Sequence, residues 1–168
     1  MPTSYRTGPT SSDLSVPGGT LPGMRPVQIV FDAQDPGRLA TFWAAALADR
    51  GYRVPGPPDG AADWPSWLAA RGVPEDQWNS ASAVESTDPA QPRLFFQRVP
   101  EPKTVKNRVH IDLQAGGGPS VPPAEQQERI AAAVERLTAL GATFVEDRSG
   151  MGTSWAVLTD PEGNEFCT

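Results

Sequence analysis

One pattern, stated twice, constrains this chain more than anything else in it. In PVQIVFDA, Val27, Ile29 and Phe31 fall on one face of a strand and Gln28, Val30 and Asp32 on the other. In DPGRLATFWAAALADRG, Asp35 caps a helix and Pro36 takes its first position. Leu39, Phe42, Trp43, Ala46 and Leu47 form its apolar stripe, which stops at Gly51. Strands are expected at 52–54, 82–85 and 93–99. The order then returns. NRVHIDLQA sets Val109, Ile111 and Leu113 against Arg108, His110 and Asp112, and AEQQERIAAAVERLTALG carries Ile130, Ala133, Val134 and Leu137 to Gly141. Strands at 142–146, 154–159 and 164–167 close the second round.

The halves share details as well as order. Each helix ends in a glycine that feeds a strand, in RGYRV and LGATFV. Each half reaches its last strand through an Asp-Pro turn, Asp88-Pro89 and Asp160-Pro161. The expectation is therefore an α+β protein of two βαβββ modules, 25–100 and 106–168. An insertion at 55–80 interrupts the first and carries Trp64, Trp67, Leu68 and Trp78, residues that more often pack than hold a ligand. Residues 1–24, rich in Pro, Gly, Ser and Thr, read as a disordered leader without the basic start and apolar middle of a signal peptide.

Charge narrows the partners. A net charge of -6 argues against nucleic acid, whose phosphates demand a basic face. Lys103, Lys106 and Arg108 are a local exception that reads as a solvated strand entrance or as a contact for an anionic ligand. No apolar run reaches bilayer length, so a membrane partner is not expected. Cys167 is the only cysteine, which rules out a disulfide within the chain and suits a reducing cytoplasm.

Four stretches, FDAQDPGRLATFWAAAL, PRLFFQRVPEPKTVKNRVHIDL, LTALGATFV and DPEGNEFC, together resemble the glyoxalase-like branch of the vicinal oxygen chelate superfamily. That group includes glyoxalase I, extradiol dioxygenases, and the fosfomycin- and bleomycin-resistance proteins. The likeness covers residues 25–168. It implies that the two modules curl their sheets into an open, cup-shaped barrel with the helices outside and the site on the mixed inner faces. It also implies a homodimer, while the leader and the lone cysteine lead to the expectation of a cytoplasmic protein.

Metal-dependent relatives carry one ligand on the first strand of each module and one on the last. The resemblance puts Gln28 and His110, the only histidine, at the two first-strand positions. Gln97 stands where module one would have a glutamate. The terminal strand has Cys167 at the ligand position, with Glu165 two residues earlier on the same face. The implied metal set is Gln28, His110 and Glu165 around a divalent ion. With Gln97 counted beside them, two amides, one imidazole and at most one anion, Glu165 or Cys167, under-compensate the charge of a hard cation.

Three readings follow. In the first, the protein binds a small organic molecule, with His110 and Glu165 as the acid and base of a lyase or isomerase. Gln28, Gln97, Asp112, Phe95, Trp155 and Cys167 line the cavity. In the second it is a metal-dependent lyase, isomerase or dioxygenase. In the third it sequesters a drug without catalysis, as bleomycin-binding relatives do, through Phe95, Trp155 and the insertion tryptophans. Beside these stand plainer readings: His110 as a hydrogen-bonded cavity residue, Gln28 and Gln97 as polar lining, and Cys167 as a small buried filler.

Overall fold

A computed structural model describes residues 27–168, so the leader expected at 1–24 lies outside the described residues. The first round folds as read: β1 (Gln28–Ala33), α1 (Pro36–Ala46), β2 (Tyr52–Arg53), β3 (Ala81–Ser86) and β4 (Arg93–Arg98). These strands form one sheet in the order β1-β4-β3-β2, with β1 and β4 parallel and the others antiparallel. Asp35 caps α1 by accepting from Arg38 N at 3.1 Å. Gly51 ends the short 3-10 turn after α1 at φ 71°, where a Cβ would come within 2.3 Å of Thr87 Oγ1.

Alternation assigns the faces of this sheet. Ala33, Val84, Leu94 and Phe96 are buried in the core that contains α1. The opposite face carries three cross-strand rows: Gln28 with Arg93, Val30 with Phe95 and Ala83, and Asp32 with Gln97 and Ala81. The insertion adds α2 (Trp64–Ala70), capped by Asp63, and a 3-10 turn at Glu75–Gln77.

The second round supplies α3 (Pro123–Ala139), β5 (Thr143–Gly150), β6 (Thr153–Thr159) and β7 (Glu165–Cys167), in a sheet ordered β5-β6-β7. A register shift between Phe144 and Glu146 bends β5. The strand expected over NRVHIDLQA does not form. Only one parallel bridge, Asp112 to Cys167, survives, flanked by Cys167 N to Ile111 O at 3.0 Å and Leu113 N to Cys167 O at 2.8 Å. β7, its neighbour, is three residues long and offers too short a ladder. Val109 is 81 % exposed rather than sharing a buried face with Leu113. The bridge still lies where β1 lies in the first sheet, parallel to the last strand, so the duplicated topology holds.

The two rounds join within one chain around a single apolar core. Phe166 of β7 packs edge-on against Phe42 and Trp43 of α1, with ring centroids 6.0 and 5.3 Å away. Trp43 Nε1 donates to Asp160 Oδ2 at 3.3 Å. Glu162 accepts from the backbone N–H of Gln34 and Asp35 at 2.8 and 2.7 Å, and Arg136 of α3 donates to the carbonyls of Ala45 and Ala46. Among the described residues no helix is long and apolar enough to cross a membrane.

Candidate functional site

The face of the second sheet opposite its core gathers the chemistry. Cys167 alternates with the buried Phe166, and Asp112 and His110 follow from the bridge by the same alternation. His110 Nδ1 lies 2.9 Å from Asp112 Oδ1 and 4.0 Å from Cys167 Sγ. With Trp155, these residues line a cavity of about 460 Å³ whose far wall is the loop Gly116–Gly118. Gly117 sits there at φ 82°, and a Cβ on it would come within 2.7 Å of Arg129 Nη1. An imidazole whose Nδ1–H donates to a carboxylate keeps Nε2 as a proton acceptor, the arrangement that suits a general base.

Cys167 is not poised as a nucleophile. Burial first, and then the charge and hydrogen bond of Asp112, push its thiol up to about 11, so it stays protonated at neutral pH. His110 also borders a second cavity, of about 580 Å³, that lies against β1 and contains Val30, Asp32, Lys103 and Glu165. Glu165 Oε2 there accepts from Lys103 Nζ and from Asn107 N, both at 3.0 Å. Burial by itself raises the pKa of this carboxyl. The bonds from Asn107 and Lys103 outweigh that and hold it at about 2. Lys103 of the basic cluster therefore meets a carboxylate of its own chain.

The structure separates the residues that the sequence assigned to the first module. Gln28 Oε1 accepts from Arg93 Nη1 at 2.8 Å, in a hollow of about 240 Å³ shared with Glu85 and Asp88. Gln97 Nε2 donates to Asp32 Oδ1 at 2.8 Å. Gln28 and Gln97 pair with β-sheet partners four residues apart, about 13 Å along the strands. By sheet position the counterpart of Cys167 is Phe95 rather than Gln97: each is third in its strand, and Phe95 faces Val30 and Ala83 as Cys167 faces Asp112 and Val157. Gln28 is the counterpart of His110.

These placements decide the fit of the hard divalent ion that relatives hold between their modules. Phe95 offers no donor, the Gln28 oxygen is bound to a cationic guanidinium, and Glu165 is neutralised by Lys103. The residues present do not fit that ion. The donors that do converge, His110, Asp112 and Cys167, come from the second sheet alone, with ligand atoms within 4.8 Å of one another.

Arg93 is the residue that sequence reasoning missed. Its guanidinium carbon lies 5.2 Å from the Phe95 ring centroid, and its Nε lies 2.8 Å from Glu85 Oε1. Strand parity could have found it, two residues before Phe95 on the same face. Together with Trp64 and Trp78 it lines a further cavity, of about 630 Å³, beneath the insertion.

Paired βαβββ units with chemistry on the faces away from the helices define the vicinal oxygen chelate class. The model of the glyoxalase-like domain matches residues 28–168, and the chain belongs to that family. Among solved structures it is similar to a hypothetical protein from S. aureus, at 16% identity and TM-score 0.51, covering 89% of this chain and 93% of that one. It is likewise similar to a glyoxalase/bleomycin resistance protein/dioxygenase family enzyme from Burkholderia phytofirmans PsJN, at 14% identity and TM-score 0.51, covering 83% and 93%. No curated protein matches the chain.

Proposed function

We propose that the protein binds a small organic molecule in the open cup of a glyoxalase-like fold and moves a proton on it through His110, in the manner of a lyase or isomerase. The observation that carries this reading is the 2.9 Å contact of His110 Nδ1 with Asp112, set in a cavity that also holds Cys167 and Trp155. Asp112 orients the ring and fixes its tautomer, and Nε2 takes or returns the proton. Trp155 supplies an apolar wall, and the neutral Cys167 thiol fills the floor. Glu165, ionised and paired with Lys103, serves as a structural ion pair rather than as a base.

The test separates binding from chemistry. A metabolite library is screened by ligand-observed NMR against the full chain and against His110→Gln, which keeps the bulk and hydrogen-bonding capacity of the ring position but cannot take a proton. The expected result is a ligand bound by both proteins and converted only by the wild type, with Asp112→Asn intermediate. Conversion at the wild-type rate by His110→Gln would sink the reading.

A further inference from the structure

We infer that the insertion roofs a second ligand site on the first sheet, one that takes a planar aromatic molecule carrying an acceptor oxygen such as a carboxylate. This goes beyond the chemistry assigned to His110, whose cavities lie along the second sheet and the outer strand β1.

The cavity beneath the insertion, about 630 Å³, is large enough for a fused two- or three-ring molecule. Its floor is Phe95, Ala83 and Arg93, and its roof is Trp64, Leu68 and Trp78. Neither α2 nor the 3-10 turn after it buries a single residue, and Trp64, Leu68 and Trp78 are all left half-buried. An insertion whose tryptophans served packing alone would have drawn them under. The rings are nonetheless fixed: Trp64 Nε1 donates to Pro55 O and Trp78 Nε1 to Val73 O, each at 2.9 Å. Their polar edges are thus satisfied by the insertion's own backbone, and what remains for a ligand is π-face.

The polar end of the cavity is Arg93. Glu85 sits 2.8 Å from its Nε and balances its charge, yet that buried Nε has no hydrogen-bond partner in line with its proton. Of the five donors of a guanidinium, the Nη1 bond to Gln28 accounts for one. The wall is therefore neutral overall but rich in directed donors, which selects an acceptor oxygen by geometry more than by charge. A flat ring system sandwiched between the indoles and Phe95, with its oxygen turned to Arg93, uses the π-faces and the guanidinium donors that line the cavity.

The test is isothermal titration of the full chain with 2-naphthoate, with cyclohexanecarboxylate as the non-planar acid. Binding of 2-naphthoate is expected below about 1 mM and cyclohexanecarboxylate about tenfold weaker. Trp78→Leu and Arg93→Gln, each checked for native circular dichroism, should weaken 2-naphthoate about tenfold, whereas Trp64→Phe retains it. His110→Ala should leave the affinity unchanged, which keeps this site distinct from the proton-transfer reading. The inference is overturned if 2-naphthoate fails to bind at about 1 mM. Equal affinity for the two acids, wild-type affinity in Trp78→Leu and Arg93→Gln, or loss of binding in His110→Ala alone would also overturn it.

Discussion

Replacing Phe166 with alanine asks whether the two rounds of this fold are one structure or two. The side chain is 1 % exposed and belongs to the last strand of the second round, yet its ring meets Phe42 and Trp43 in the helix of the first. Truncating a buried phenylalanine costs about 3–5 kcal/mol. Two edge-on ring contacts keep this site off the lower end of that range, so we take its middle, about 4 kcal/mol. For roughly 140 folded residues the unfolding entropy is about 0.3 kcal/mol/K, so Tm should fall by about 13 °C. Phe166→Leu, which keeps most of the volume, should cost less than half as much. Urea unfolding followed by far-UV circular dichroism and by tryptophan fluorescence provides the assay. Trp43, Trp64, Trp67 and Trp78 lie in the first round and only Trp155 in the second, so fluorescence reports mainly on the round that was not mutated. Both signals should move together. A fluorescence midpoint that stays put while the circular dichroism shifts, or a joint shift below about 1 kcal/mol, would refute the argument from a shared core.

The other expectations are smaller. Glu165 keeps its charge in the folded state down to about pH 2, whereas unfolded glutamate takes a proton near 4.5, so its contribution is present above 4.5 and lost as pH falls toward 2. Acid titration of Glu165→Gln should therefore show a shallower loss of stability in that window than the wild type. With its thiol held up to about 11, Cys167 should resist iodoacetamide at pH 8 in the native protein, and Asp112→Asn should speed its alkylation by removing the neighbouring charge. Glu162→Gln, which keeps one acceptor oxygen but sets an NH2 donor against the other backbone N–H, should lower stability by about 1–3 kcal/mol in thermal melts. Titration with Mn²⁺, followed by water-proton relaxation, should show no saturable site tighter than about 1 mM, given the donors that the first sheet lacks.

The repeated order of elements, both long helices and their glycine stops could be read in the sequence because periodicity and caps are local. The strand at NRVHIDLQA was misjudged for the complementary reason. Alternation reports which face a residue would take, but a strand also needs a partner long enough to pair with, and β7 ends after three residues. His110, Asp112 and Cys167 fell together because strand parity and one register fix all three. What Glu165 does depends on Lys103, 62 residues away, and no local pattern reveals that pairing. How far the insertion tryptophans are covered could not be read either, because α2 leaves every residue partly uncovered against a sheet distant in sequence.

The start of α1 carries a consequence for the two cavities. Asn79, on the wall of the aromatic cavity, accepts from Gly37 N and donates to Asp35 Oδ1, and this bond leads the effects that hold the Asp35 pKa below its usual value. Asp35 N in turn donates to Glu162, in the turn that opens the strand bearing Glu165 and Cys167. Displacement of Asn79 by a bound molecule would reach, through the Asp35 and Glu162 hydrogen bonds, the turn that precedes that strand. Thermodynamic reciprocity then applies: whatever occupancy beneath the insertion does to affinity beside His110, occupancy beside His110 does in equal measure to affinity beneath the insertion.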